Sequence, residues 1–211
     1  MLHYHIEGGY ENHQQLVFSP NTATQFNQLT HDRRDTPMEP YPLKKVEIPS
    51  ADLGNRGLLF AGIGWYTRLE FPYLNNIMEQ GEYVHIEKAG LKIYPEYGTY
   101  SDFNALPDSI FLYIADENNV VTDAVKDYLG KQVQGGKLVK DDLFLGNTYY
   151  YFDVTQFMKE ELGASGKYKH NLQLVFNSDD YTKTLKNLTF SAPNGQNPII
   201  LQLNYKIYES Y

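Results

Sequence analysis

His3 and His5 stand two apart, a spacing that puts both imidazoles on one face of a strand, where a third ligand would complete a zinc site. No carboxylate pattern nearby supplies that ligand, so the two read as ordinary strand histidines. His31, His85 and His170 are scattered, with no nucleophile motif beside any of them. Asp116-Glu117-Asn118-Asn119 and Ser178-Asp179-Asp180 carry the oxygen ligands that calcium takes, but both lack the EF-hand spacing and its glycine. They read as polar turns. Gly62-Ile63-Gly64 lacks the third glycine and following helix of a dinucleotide fingerprint, and fits a bulge or a close backbone approach in a sheet. Glycoside hydrolysis needs two facing carboxylates, and 26 Asp and Glu without a motif nominate no pair. The expectation is no catalytic residue, no metal and no cofactor.

One stretch suggests binding instead. Residues 95–109, PEYGTYSDFNALPDS, carry Tyr97, Tyr100 and Phe103 among Gly, Ser, Asp and Asn. Loops on a rigid scaffold are where binding residues collect. Flat aromatic faces beside polar groups suit stacking on sugar rings or anchoring a protein partner. These three are the candidate ligand platform. The competing reading folds their rings back over the edge of the core.

The elements that must position such a loop are strands. Of the 211 residues 19 are Tyr, 11 Phe and one Trp, and such aromatic enrichment fits half-buried pleated surfaces. Residues 57–61 form an apolar run, and Trp65, Thr67, Leu69 and Phe71 alternate with Tyr66, Arg68 and Glu70. Pro72 suits the first turn of a short helix carrying Leu74, Ile77 and Met78. Residues 83–94 predict a long strand with Ala89, Leu91 and Ile93 on one face. Ile110, Leu112 and Ile114 repeat the pattern, as do Leu172, Leu174 and Phe176, and residues 199–208 close the series. Many short strands between turn signals predict an all-β fold, an antiparallel, jelly-roll-like β-sandwich with one or two short helices capping its ends. The sandwich is assigned to residues 49–211. Residues 1–48 form an arm packed on it, or the tail of a truncated preceding domain. Within them residues 15–19 fit a strand, and Thr36-Pro37 through Tyr41-Pro42 an extended connection. Leu2, Tyr4 and Ile6 share the spacing of Leu203, Tyr205 and Ile207, so the first set reads as the close of an earlier domain, ahead of a coincidental match.

The stretch NTYYYFDVTQFMKEELG, residues 147–163, runs from an aromatic strand into a two-turn helix. Asp153 suits the N-cap, with Gln156 three residues on as a capping-box partner, and Thr155 is a rival cap two residues later. Val154, Phe157, Met158 and Leu162 make one apolar stripe, and Gly163 suits a left-handed stop. Two turns do not hold alone in water. The stripe must lie across an open end of the sandwich as a lid.

Composition sets the surroundings. A net charge of −8 argues against nucleic acid, whose binding rests on basic neutralisation. With no cysteine there is neither disulfide nor thiol nucleophile. Nowhere do about 18 apolar residues run together, so no transmembrane helix is expected. MLHYHIEGG has no signal-peptide pattern, which leaves a cytosolic protein or an export signal upstream of this sequence.

The strand, the Phe-Asp-Val-Thr step and the short capped helix resemble the disaggregatase-related repeat and neighbouring carbohydrate-binding-module sandwiches, as does the earlier Ile86-Glu87-Lys88-Ala89-Gly90-Leu91-Lys92-Ile93. The sequence is more closely similar to the Bacteroidetes domain of unknown function 4270, a family of predicted exported surface lipoproteins. The residues that carry this are Phe60-Ala61-Gly62-Ile63-Gly64, Arg68-Leu69-Glu70-Phe71-Pro72-Tyr73-Leu74, the Ala89 strand, a Gly135-Gly136 turn and Asp153-Val154-Thr155, in that order across residues 1–208. The resemblance implies an extracellular or outer-membrane-surface setting, with signal and anchor cysteine upstream. It implies no agreed activity and no catalytic residues. The expected function is a non-catalytic surface module that binds glycan or a surface protein. A structural spacer and a hydrolase without a recognisable motif are the alternatives.

Overall fold

A computed structural model describes residues 30, 32–42, 47–80, 83–126, 130, 133–141, 147–163, 170–191 and 198–208. His3, His5, His31 and the strands expected over 2–6 and 15–19 lie outside the described residues. Arg33–Tyr211 form one compact unit. Its strands are β1 (Arg56–Phe60), β2 (Thr67–Leu69), β3 (Tyr83–Ile93), β4 (Ser109–Ala115), β5 (Val121–Ala124), β6 (Gly135–Val139), β7 (Tyr149–Asp153), β8 (Asn171–Val175), β9 (Asn187–Ser191) and β10 (Ile200–Tyr208). Two α-helices, α1 (Thr155–Gly163) and α2 (Ser178–Lys183), interrupt them.

Among the described residues the larger sheet has the order β10-β3-β7-β6-β4-β8-β2, with β5 added on β4, and β1 pairs with β9 in a second sheet. Every pairing is antiparallel. Single bridges join the two sheets: Phe60 to Trp65 between β1 and the approach to β2, and Pro95 to Phe190 between the end of β3 and β9. The curled sheet thus wraps one core, giving the all-β sandwich that the strand pattern predicts. Leu91, Ile93, Ile110, Leu112, Tyr150, Phe152, Leu172 and Leu174 are wholly buried inside it. Each such side chain contributes about 1.5–3 kcal/mol by leaving water.

Glycines let large rings into this packing. A β-carbon on Gly136 would stand 2.1 Å from Cζ of Phe152, and one on Gly57 would stand 2.2 Å from Cε2 of Phe190. Gly135 and Gly136 therefore belong to β6 and form no turn: Gly136 is needed for the ring behind it. Gly62 and Gly64 (φ 78° and 74°) form the loop of the Phe60–Trp65 hairpin. That loop replaces the bulge expected there, because left-handed backbone suits a tight reversal.

A bulge does occur in β3. Asn204 and Tyr205 of β10 face Lys88 and Ile86, so Glu87 has no opposite residue. Val84 and Ile86 point inward before it, and Ala89, Leu91 and Ile93 after it.

Other expectations need correction. The short helix expected after Pro72 is present and is a 3-10 helix, Leu74–Gln80, in which Leu74 and Ile77 eclipse at three residues per turn and both reach the core. The strand expected over 65–71 shortens to the three residues that face β8. Ile114 is only half-buried: the pairing of β4 with β5 shifts register between Ile114 and Ala115, and Ala115 is the covered residue. Residues 36–42 form successive tight turns, held by the Thr36 hydroxyl on the Arg33 carbonyl at 2.6 Å, where an extended connection was expected. Gly163 ends α1 without positive φ.

Candidate functional site

The outward residues of four adjacent strands form an open groove. Across β10-β3-β7-β6 the inward set includes Leu91, Tyr150 and Phe152, so pleating sends their neighbours to the other face. Gln202 and Asn204 come from β10, Lys88, Gly90 and Lys92 from β3, Tyr149 and Tyr151 from β7, and Lys137 and Val139 from β6. Together they line about 490 Å³, within the usual range of ligand sites.

Register sets the pattern inside. Tyr151 is directly opposite Lys92 on one side and Lys137 on the other. Lys88 faces Asn204, and Gly90 faces Gln202. The Tyr151 ring lies over Gly90, where a β-carbon would come within 3.0 Å of its Cε2 and Oη. The missing side chain thus makes a bed for the ring. Beside it, Tyr149 packs against Tyr94 with centroids 5.5 Å apart, and the Lys92 ammonium stands 5.0 Å from the Tyr149 ring centre. That cation–π contact holds Lys92 across the groove. The lining carries three ammonium groups, two amides and two phenols, and no carboxylate.

A smaller cleft of about 170 Å³ is lined by Ile114, Thr122, Asp123, Phe157, Glu160, Glu161 and His170. His170 is not isolated, as its sequence position implied. Its backbone N–H donates to Glu161 at 2.9 Å, and its Nδ1 is 3.0 Å from the other carboxylate oxygen. Among the described residues no three His, Cys, Asp or Glu side chains are placed to hold a metal ion.

The sequence-nominated residues lie elsewhere. Tyr97 is 70 % exposed and Phe103 fully so, while Tyr100 is half-buried. Their loop is fixed by Asn104, which donates to the Thr99 carbonyl within it and to the Asn187 side chain on β9. None of the three lines either cleft. The helix-start residues act together in a different way from that expected. Asp153 lies one place before the cap position and accepts from both the N–H (3.0 Å) and the hydroxyl of Thr155. Thr155 in turn accepts from the Ala89 N–H at 2.9 Å, which ties α1 to β3. Gln156 donates to Glu160 and makes no capping box. Asp116 accepts from the N–H groups of Asn118 and Val120, as a polar turn does. Ser178-Asp179-Asp180 opens α2 and is not a turn, with Asn177 as the cap accepting from the Asp180 N–H.

No family model, no curated protein and no solved structure matches this chain.

The geometry therefore has to speak for itself. Pleat alternation put Lys88, Lys92, Tyr149 and Tyr151 on outward faces. Which strands stand side by side is a long-range property, and only the fold brings those faces together. The groove offers ring surface, amide groups and positive charge at one place.

Proposed function

We propose that this chain is a non-catalytic binding module that seats a glycan in the groove over Tyr149 and Tyr151. The observation that carries this reading is the pairing of Tyr151, whose ring packs against Gly90, with the amides of Gln202 and Asn204 two strands away. A sugar ring has an apolar face for stacking and hydroxyls at its rim for amides, so it uses both kinds of group at once. The cell surface is the proposed setting on the strength of the sequence motifs alone, which resemble those of exported surface lipoproteins. A second reading concerns protein contact. Tyr97 and Phe103 are exposed on a loop fixed by Asn104, and rigid aromatic anchors of that kind suit a surface partner.

A glycan array read with three proteins tests both. The wild-type chain should retain glycan and Tyr151→Ala should lose it, while Tyr97→Ala/Phe103→Ala should bind as wild type does. Melting curves accompany each variant, so that lost binding is not lost folding. Retention by Tyr151→Ala, or loss confined to the loop variant, would overturn the groove reading.

A further inference from the structure

We infer that the groove selects an anionic glycan, one that carries carboxylate or sulfate groups along its chain; this rests on the glycan reading above. The chain bears 26 acidic against 18 basic residues, yet the groove collects Lys88, Lys92 and Lys137 and no acid. Elsewhere on the surface cations meet carboxylates: Arg56 pairs with Glu96, Lys186 with Asp180, and Lys206 with Glu87 beside the groove itself. Among the described residues no such pair involves the three groove lysines. Gathering like charges in a concavity raises their mutual repulsion, and an anion placed between them relieves it.

Their placement also suits a chain better than a single anion. Lys92 and Lys137 flank Tyr151 on neighbouring strands, so their backbones stand about 9–10 Å apart by strand spacing. Lys88 is four residues from Lys92 along β3, about 13 Å at the rise of a strand. A sugar ring over Tyr151 would then have an ammonium on either side, where the charged substituents of its neighbours fall. Nucleic acid carries charge of the same sign, so a single-stranded DNA serves as the control polyanion in the test.

Affinity electrophoresis decides the matter, using a polyuronate, the same polymer with its carboxyls methyl-esterified, a sulfated polysaccharide and a single-stranded DNA as probes. The polyuronate or the sulfated polymer should retard the native protein, and which of them does so identifies the anion. Esterification should remove the effect of the polyuronate. Lys92→Gln/Lys137→Gln should weaken retention by at least about tenfold with an unchanged melt, since a hydrogen bond to a charged group is worth about that factor. Added salt should weaken the native protein more than the double variant. Equal retardation by the esterified polymer would overturn the anionic inference and leave the glycan reading standing. Binding of DNA as tight as that of the glycans would overturn it in favour of a general polyanion site. Retardation by none of the polymers, with no neutral glycan held on the array, would sink both readings.

Discussion

Phe157→Ala and Phe103→Ala remove the same ring from opposite environments. Phe157 is 4 % exposed on α1, beside buried Met158 and Leu162, with its ring centre 6.5 Å from that of Phe71. Phe103 is fully exposed. A buried aromatic ring removes roughly 150–200 Å² from water, which at about 25 cal/mol per Å² is about 4–5 kcal/mol. Core Phe→Ala changes cost about 3–5 kcal/mol, the lost burial plus a cavity that the surroundings only partly close. The Phe103 change should stay within about 0.5 kcal/mol. Asp153→Ala falls between, at about 1 kcal/mol, through two lost acceptor contacts with Thr155. Urea melts followed by circular dichroism measure all three, read as midpoint shifts at constant slope. In a domain of this size the Phe157 cost lowers the melting temperature by roughly 6–20 °C. If Phe157→Ala moved the midpoint no further than Phe103→Ala, α1 would be lying free on the surface and the lid reasoning would be wrong.

Two further expectations concern glycine and tyrosine. Gly136→Ala should cost about 1–3 kcal/mol, since its methyl would enter the ring of Phe152, whereas Gly163→Ala meets open space and should leave the denaturant midpoint where it is. Burial raises the Tyr181 phenol to about 12 and the Tyr150 phenol further, and the Tyr150 hydroxyl donates to the Pro107 carbonyl at 2.6 Å. Both folded values exceed the unfolded 10.0, so the stability they contribute is fully present below pH 10 and is lost as pH rises through about 12 for Tyr181 and beyond for Tyr150. An alkaline titration should show falling stability in that window with late-ionising tyrosines. Flat stability there, or simultaneous ionisation of every tyrosine, would contradict the burial argument.

Local alternation was legible, and so the fold class was too. Ala89, Leu91 and Ile93 share a face by spacing alone and all three are buried, whereas residues 149–152 are aromatic on both faces and only the fold shows that Tyr150 and Phe152 turn inward. The α1 stripe was equally plain, because a helix of nine residues has to bury what it cannot solvate. The groove was hidden for the opposite reason. Its nine lining residues come from β3, β6, β7 and β10, and the order β10-β3-β7-β6 is decided by contacts distant in sequence. The aromatic loop attracted notice because its rings are near each other in the chain, yet nearness in sequence did not put them in a cleft. Asn171 and Gln173 were also opaque. On a strand they look solvent-facing, but the turn from Asp116 to Asn119 folds over them, and their amides donate to the carbonyls of Asp116 and Asn119.

The bulge at Glu87 bears on how this chain could vary by descent. Ile86 and Ala89 are three residues apart, an odd spacing that a regular pleat would send to opposite faces. With one residue looped out, both point inward, and Lys88, Gly90 and Lys92 keep to the groove side. Without Glu87 the strand would alternate regularly and every one of those residues would keep its face. A residue lost further along, at Gly90 for instance, would turn one half of the strand inside out. At the bulge alone β3 has a residue to spare, so a lineage could gain or lose length there and still inherit the same binding face.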